Sequence, residues 1–282
     1  MFLLAFALLL VAPAALRADP TPARPAPKFL SAAPDQAEGG RVLEGFRNVG
    51  VQGDYWLQFD LRVMPRQSPE RELRGQMFGA PGTRGPLTRL IVDAPATHFI
   101  LHGGNDAQAW RWEPAATGPA AMSVPEQDWL APIVDTDLTL FDLQMPFLRW
   151  TDFVYEGVAN VRGRPAHAFL LYPPQPLAGP PARPVPAAVR VFLDTQFSAL
   201  TQAEWLDAQG KALKSVTVLD LKKVRDQWIV KSIDLRNHTT RAKTRFALTA
   251  AALDLQLPGT LFEPAQAAES LPTVPAAQIE RF

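Results

Sequence analysis

Four histidines carry all the imidazole chemistry open to this 282-residue chain, which contains no cysteine. His98 and His102 stand four residues apart, the spacing of a metal pair on a helix. They flank Phe99-Ile100-Leu101, however, which reads as a strand, and no carboxylate follows at ligand spacing, so no metal site is expected. Asp135 and Asp137 have the look of paired carboxylates, yet their place just before an apolar run makes helix capping the simpler role. His167 with an aspartate is the remaining basis for a hydrolase, and Asn237-His238-Thr239 matches a glycosylation acceptor. Nucleophile elbows, zinc-protease helices, phosphate loops and dinucleotide fingerprints are all missing from the sequence. Without cysteine there are no disulfides, thiolate metal sites, Cys nucleophiles or lipid-modified Cys. The expectation is a protein that is not an enzyme and uses no cofactor.

Charge narrows the partners. Lys+Arg 28 balances Asp+Glu 28, so no net field draws the chain to nucleic acid or to an anionic membrane. At 47% hydrophobic residues, a buried core is well supplied.

The apolar run Phe2 to Ala12 is too short to span a membrane and has the length of an export-signal core, with cleavage expected after Ala18. Residues 1–18 therefore read as a signal peptide. Residues 19–34 read as a proline-rich linker, with Pro20, Pro22, Pro25, Pro27 and Pro34. Residues 35–270 read as one domain and 271–282 as a tail. Export without cysteine fits a bacterial periplasm.

Within the domain, Ala37 to Phe46 predicts a short helix despite Gly39, Gly40 and Gly45. Leu57, Phe59, Leu61 and Val63 then alternate with polar residues, the pattern of a strand with one wet face. Short strands follow near 74–78, 88–92, 98–101 and 108–112, separated by Gly and Pro turns. Between Pro186 and Pro258 there is no proline, and Gly210 is the only glycine; strands are expected over 189–193, 216–221, 229–235 and 246–248. No helical pattern intervenes among them, which excludes crossover βαβ units and predicts a mostly antiparallel sheet. Two segments differ. Asp137 to Trp150 predicts an apolar helix over about 137–149, capped by Asp135 or Thr136 and ended or kinked by Pro146. Pro173 to Pro186 is too proline-rich for a strand and reads as a surface loop.

Several phrases, in order along the chain, resemble the LolA-like outer-membrane lipoprotein-sorting proteins. Asp135-Thr136-Asp137-Leu138-Thr139-Leu140-Phe141-Asp142-Leu143 is similar to a Ser-Asp-Phe-Thr-x-x-Asp-Leu phrase of that family, with Thr136 and Leu138 as departures. Phe153-Val154-Tyr155-Glu156-Gly157 with Gly163-Arg164-Pro165 resembles the strand pair that follows it. Val191 to Asp194, Glu204 to Lys214, Asn237 to Thr244 and Leu261-Phe262 complete the series, and the loop at 173–186 is unusual for it.

The resemblance implies a mainly β fold: a strongly curved antiparallel sheet, an incomplete barrel of about ten strands, with helices over its concave face. It further implies a periplasmic carrier whose ligand is a lipoprotein's acyl chains or free lipid, acting as a monomer, with an inner-membrane lipid exporter as the membrane partner. The alternative is a structural or adaptor protein of the envelope that uses the same fold without a lipid. On the carrier reading, Trp56, Leu57, Phe59 and Leu61 would line the cavity. Leu138, Phe141, Met145 and Leu148, one stripe of the expected helix, would form a lid, with Trp150 and Phe153 beside it.

Overall fold

The alternation at Leu57, Phe59, Leu61 and Val63 lies on β1 (Asp54–Met64), an interior strand of a 14-stranded antiparallel sheet. This computed structural model describes residues 24–29, 34–47, 50–93, 96–114, 120–179, 183–197 and 199–282. The signal peptide expected at 1–18, with its cleavage position, lies outside them.

From β1 the chain meanders through β2 (Arg71–Pro81), β3 (Pro86–Asp93), β4 (Ala96–His102), β5 (Gln108–Trp112) and β6 (Met122–Ser123), each pairing with the strand before it, to one edge of the sheet. It then crosses to the opposite edge, where β7 (Asp152–Val161) begins. A second meander returns through β8 (Arg164–Tyr172), β9 (Ala188–Asp194), β10 (Leu200–Leu206), β11 (Ala212–Val224) and β12 (Gln227–Asn237). It ends at β13 (Lys243–Leu255), which pairs antiparallel with β1 and joins the two halves. A last short strand, β14 (Glu280–Arg281), pairs with Ala250 and Ala251 beyond the point where β12 leaves β13. The sheet is thus mainly β, antiparallel and unclosed, as expected. Its strand count exceeds the expected ten in part because β6 and β14 are only two residues long, too short to leave a sequence pattern.

Because side chains alternate across a strand, β1 divides the core. Phe59, Leu61 and Val63 face the larger apolar cluster, together with Leu90, Phe169, Val191 and Leu248 from other strands. Trp56 faces the other way, into a cluster with Phe78, Ile91, Ala250 and Ala252 that the segment around Leu261 and Phe262 covers. At the β7–β9 end the outer face meets residues 24–29: Phe29 packs edge-on to Phe192 with ring centroids 5.6 Å apart, and Tyr172 Oη donates to Pro25 O at 2.8 Å. Beneath them, fully buried Glu156 accepts from Arg190 Nε at 2.7 Å and from the Lys28 amide at 2.5 Å.

The first helix, α1 (Gln36–Arg47), matches the expected span within a residue at each end. Its glycine at 39 has a packing reason: a Cβ there would lie 2.5 Å from the side chain of Tyr155 on β7, so only glycine lets helix and strand approach this closely. Gln36 fixes the same contact, its side-chain amide donating to Tyr155 O and accepting from Tyr155 N, both at 2.8 Å. In effect Gln36 covers part of the β7 edge.

The expected helix over 137–149 is a correction. The segment holds α2 (Leu140–Gln144), then a 3-10 turn over Pro146–Arg149. Neither Asp135 nor Thr136 caps it. Thr139 does, in a capping box: Thr139 Oγ1 accepts from the Asp142 amide at 3.2 Å, and Asp142 Oδ2 accepts from the Thr139 amide at 2.8 Å. At the other end Pro146 cannot donate into the helix, so Met145 turns left-handed at φ 44 and the chain re-enters as the tighter turn.

The two histidines with metal-pair spacing, His98 and His102, sit on the outer face with separate partners. Arg89, 1% exposed, donates to Leu261 O at 3.3 Å and to Ala267 O at 2.5 Å, pinning the C-terminal segment, and to His98 Nδ1 at 3.0 Å. Since arginine only donates, the ring proton of His98 sits on Nε2. His102 Nε2 lies 2.9 Å from Phe262 O. Burial, reinforced by the Arg89 charge, lowers the His98 pKa from 6.5 to about 4. The folded value lies below the unfolded one, so His98 contributes stability that is complete above about pH 6.5 and is lost as pH falls toward 4. Urea unfolding at pH 7 and pH 4 should show a stability loss about 3 kcal/mol smaller in His98→Gln than in the parent. Equal losses would show that His98 is not a buried neutral ring.

Candidate functional site

Residues 124–150 connect the two edges of the sheet, and their apolar side chains lie on its inner face. Trp129, Ile133, Leu138, Leu140, Phe141 and Phe147 are each no more than 3% exposed and belong to the same cluster as Phe59, Leu61 and Phe246. At the centre are aromatic contacts. Phe147 packs on Phe141 (5.8 Å between centroids) and on Trp205 of β10 (5.7 Å), while Trp150 lies 6.4 Å from Phe147. Among the described residues no second sheet covers this face, and the crossover segment, together with Leu43 of α1, supplies the cover.

Polar contacts pin the segment at both sides. Toward β4 and β5, Gln144 Nε2 donates to Gln108 O at 2.8 Å and His102 O at 3.4 Å. From α1, Arg47 Nη2 donates to Trp150 O at 2.8 Å and Nε to Leu148 O. The densest contacts come from β11 and β13. Lys214 forms an ion pair with Asp142, both side chains largely buried (14% and 5% exposed), and its Nζ also donates to Asp137 O at 2.5 Å. Thr244 Oγ1 accepts from the Asp137 amide at 2.9 Å and donates to Asp137 Oδ2 at 3.1 Å. Burial pushes the Asp137 carboxyl up, against the opposing pull of Thr244 and Lys214. Asp137 is therefore a tie to β13 and not a helix cap.

Beside this latch lies a pocket of about 410 Å³, within the size range of small-molecule sites. The crossover segment (Leu130, Thr136), the proline-rich loop (Val185), the β10–β11 hairpin (Trp205, Lys214) and the turn after β12 (Thr239) all contribute walls. Trp205 Nε1 is buried with no hydrogen-bond partner among the described residues, as is Asp142 Oδ1.

Of the residues expected to form the cavity and lid, Leu57, Phe59, Leu61, Leu138, Phe141, Met145, Leu148, Trp150 and Phe153 all join the inner cluster. Trp56 does not; adjacent to Leu57 on one strand, it must face outward, and its Nε1 donates to Gln76 at 2.9 Å there. The expected cavity and lid residues did not include Phe147, Trp205, Lys214 or Thr244. Lys214 and Thr244 end two of the phrases that resemble the LolA-like family, and Asp137 and Asp142 belong to a third, so those phrases mark the latch. His167 Nδ1 lies 2.8 Å from Tyr155 Oη, and among the described residues no group of three or more metal-ligating side chains occurs.

A family model described as "-like: Uncharacterized protein" matches residues 93–267. No functionally curated protein matches the sequence. Among solved structures, a DUF1329 family protein from Desulfovibrio piger superposes with a TM-score of 0.69 at 15% identity, covering 80% of this chain and 96% of that one. A domain from Vibrio parahaemolyticus, provisionally assigned as an outer membrane lipoprotein-sorting protein, gives 0.68 at 16% identity, covering 80% and 94%. A LolA superfamily protein from Nitrosomonas europaea gives 0.58 at 12%, covering 79% and 96%. At these identities the likeness is one of fold: the curved, unclosed sheet of the LolA type.

Proposed function

We propose, for a chain that belongs to the family matched over residues 93–267 and carries the LolA-like fold, the role of a periplasmic carrier or binding protein for lipid-modified protein or free lipid, without enzymatic activity. The observation that carries this reading is the cover on the inner face. The crossover segment, beside Leu43 of α1, fills it, and is held mainly by side-chain contacts that can be broken without unpairing any strand. An acyl chain in water costs about 0.8 kcal/mol per exposed CH₂, so a carrier needs an apolar face that opens. Moving residues 124–150 off the sheet would provide one. Ligand affinity is then the difference between burying the chain and burying the crossover side chains. The balanced charge suits a protein that must leave the membranes it serves, and the apolar run at Phe2 to Ala12 supports export.

A second reading, an envelope adaptor with no lipid ligand, draws on one observation: Phe141, Phe147 and Trp205 already fill the inner face as a packed core. Native mass spectrometry separates the two. Delipidated protein incubated with a membrane lipid extract should retain acyl-bearing adducts; protein that emerges free of adducts supports the adaptor and contradicts the carrier.

A further inference from the structure

The pocket beside the latch carries a more specific assignment, which rests on the carrier reading. Trp205 and Lys214 are cross-strand partners on β10 and β11, so their side chains stand together on one face. Trp205 belongs to two environments at once. Its ring packs against Phe141 and Phe147 in the covered apolar face (6.4 and 5.7 Å), and it also forms part of the pocket wall. It therefore stands at the junction between a place for hydrocarbon and a place with polar groups. At that junction its Nε1–H is a donor shielded from solvent with nothing among the described residues to receive it, an arrangement that folded proteins rarely tolerate without use.

We propose that this pocket receives the carbonyl of an acyl linkage, ester or amide, with Trp205 Nε1–H donating to the carbonyl oxygen and the acyl chain running beneath Phe141 and Phe147. A neutral acceptor fits better than a phosphate. The Lys214 charge is committed to Asp142, the other cation of the lining, Arg183, is exposed to solvent, and Asp137 adds a carboxyl to the same wall. The crossover segment sets the order of events: Phe141 and Phe147 must lift before a chain can lie against the indole, so the hydrogen bond forms only in the loaded state.

The test uses three probes of matched chain length, methyl palmitate, N-methylpalmitamide and hexadecane, competing with an environment-sensitive naphthalene dye on the full chain. The unaltered protein should bind both carbonyl probes more tightly than hexadecane. Trp205→Phe should weaken the ester, the amide or both by about tenfold, the worth of one buried hydrogen bond, and leave hexadecane unchanged; which carbonyl probe responds identifies the linkage. Equal change for all three probes, or no change, overturns the assignment. A measurement on the unaltered protein guards against a misfolded variant: the Trp205 indole ¹H–¹⁵N resonance should move downfield with the carbonyl probes and not with hexadecane. A resonance unmoved by any bound probe also overturns it. If the unaltered protein binds none of the three, the carrier reading fails and takes this one with it; if it binds all three alike and the variant does too, only the role of Trp205 fails.

Discussion

Phe141→Ala combined with Phe147→Ala should lower the stability of the ligand-free protein by roughly 5–8 kcal/mol, the largest loss expected from any pair in the crossover segment. Both rings are almost fully buried, and single Phe→Ala truncations in cores cost about 3–5 kcal/mol. Their contact at 5.8 Å means the two losses need not add. Urea unfolding reads the stability. The informative part is the comparison with affinity: if the rings must leave for the ligand to enter, palmitoyl probes should bind the folded variant as tightly as the parent or more so. Weaker binding by a folded variant would make these rings a contact surface instead of a displaceable cover. Phe141→Leu, which keeps an apolar side chain, serves if the double truncation does not fold.

The second large effect is expected from Lys214→Met. It leaves the Asp142 carboxylate, 5% exposed, without its cation. Removing one member of a buried pair costs about 3–5 kcal/mol because the remaining charge stays desolvated. Adding Asp142→Asn should recover most of that loss, since the amide oxygen can still accept from the Thr139 amide and preserve the cap. The double variant should also load acyl probes faster than the parent, because one of the ties between β11 and the cover is gone. Stopped-flow dye displacement measures the rate. A double variant as unstable as Lys214→Met alone would show that Lys214 acts through packing, for instance on the Trp205 ring 5.4 Å away.

The antiparallel sheet was legible because strand alternation is a local signal: β1, β3, β4 and β5 lie where their patterns put them. The same alternation argues against grouping Trp56 with Leu57, since neighbours on a strand face opposite sides. The helix over 137–149 failed for a different reason. Its apolar stripe is real, but Leu138 precedes the cap, which a short-range hydrogen bond between Thr139 and Asp142 decides, and Pro146 resets the phase so that Phe147 points inward while Leu148 is only half-buried. The latch could not be read from spacing at all. Asp142 meets Lys214, and Asp137 meets Thr244, across 72 and 107 residues. Only the ordered phrases resembling the LolA-like family hinted that these positions act together.

Hydrogen exchange over residues 124–150, followed with and without saturating methyl palmitate, tests displacement of the cover most directly. In the ligand-free protein the amides of Phe141, Leu143, Met145 and Leu148 are all hydrogen-bonded within the segment, that of Phe141 to Trp129 O, and they should exchange slowly. On loading, exchange through Leu140–Arg149 should accelerate while β1, β9 and β13 stay protected. Binding that leaves these amides unchanged or slows them would contradict the account, because the acyl chain would then occupy a site that the crossover segment does not cover.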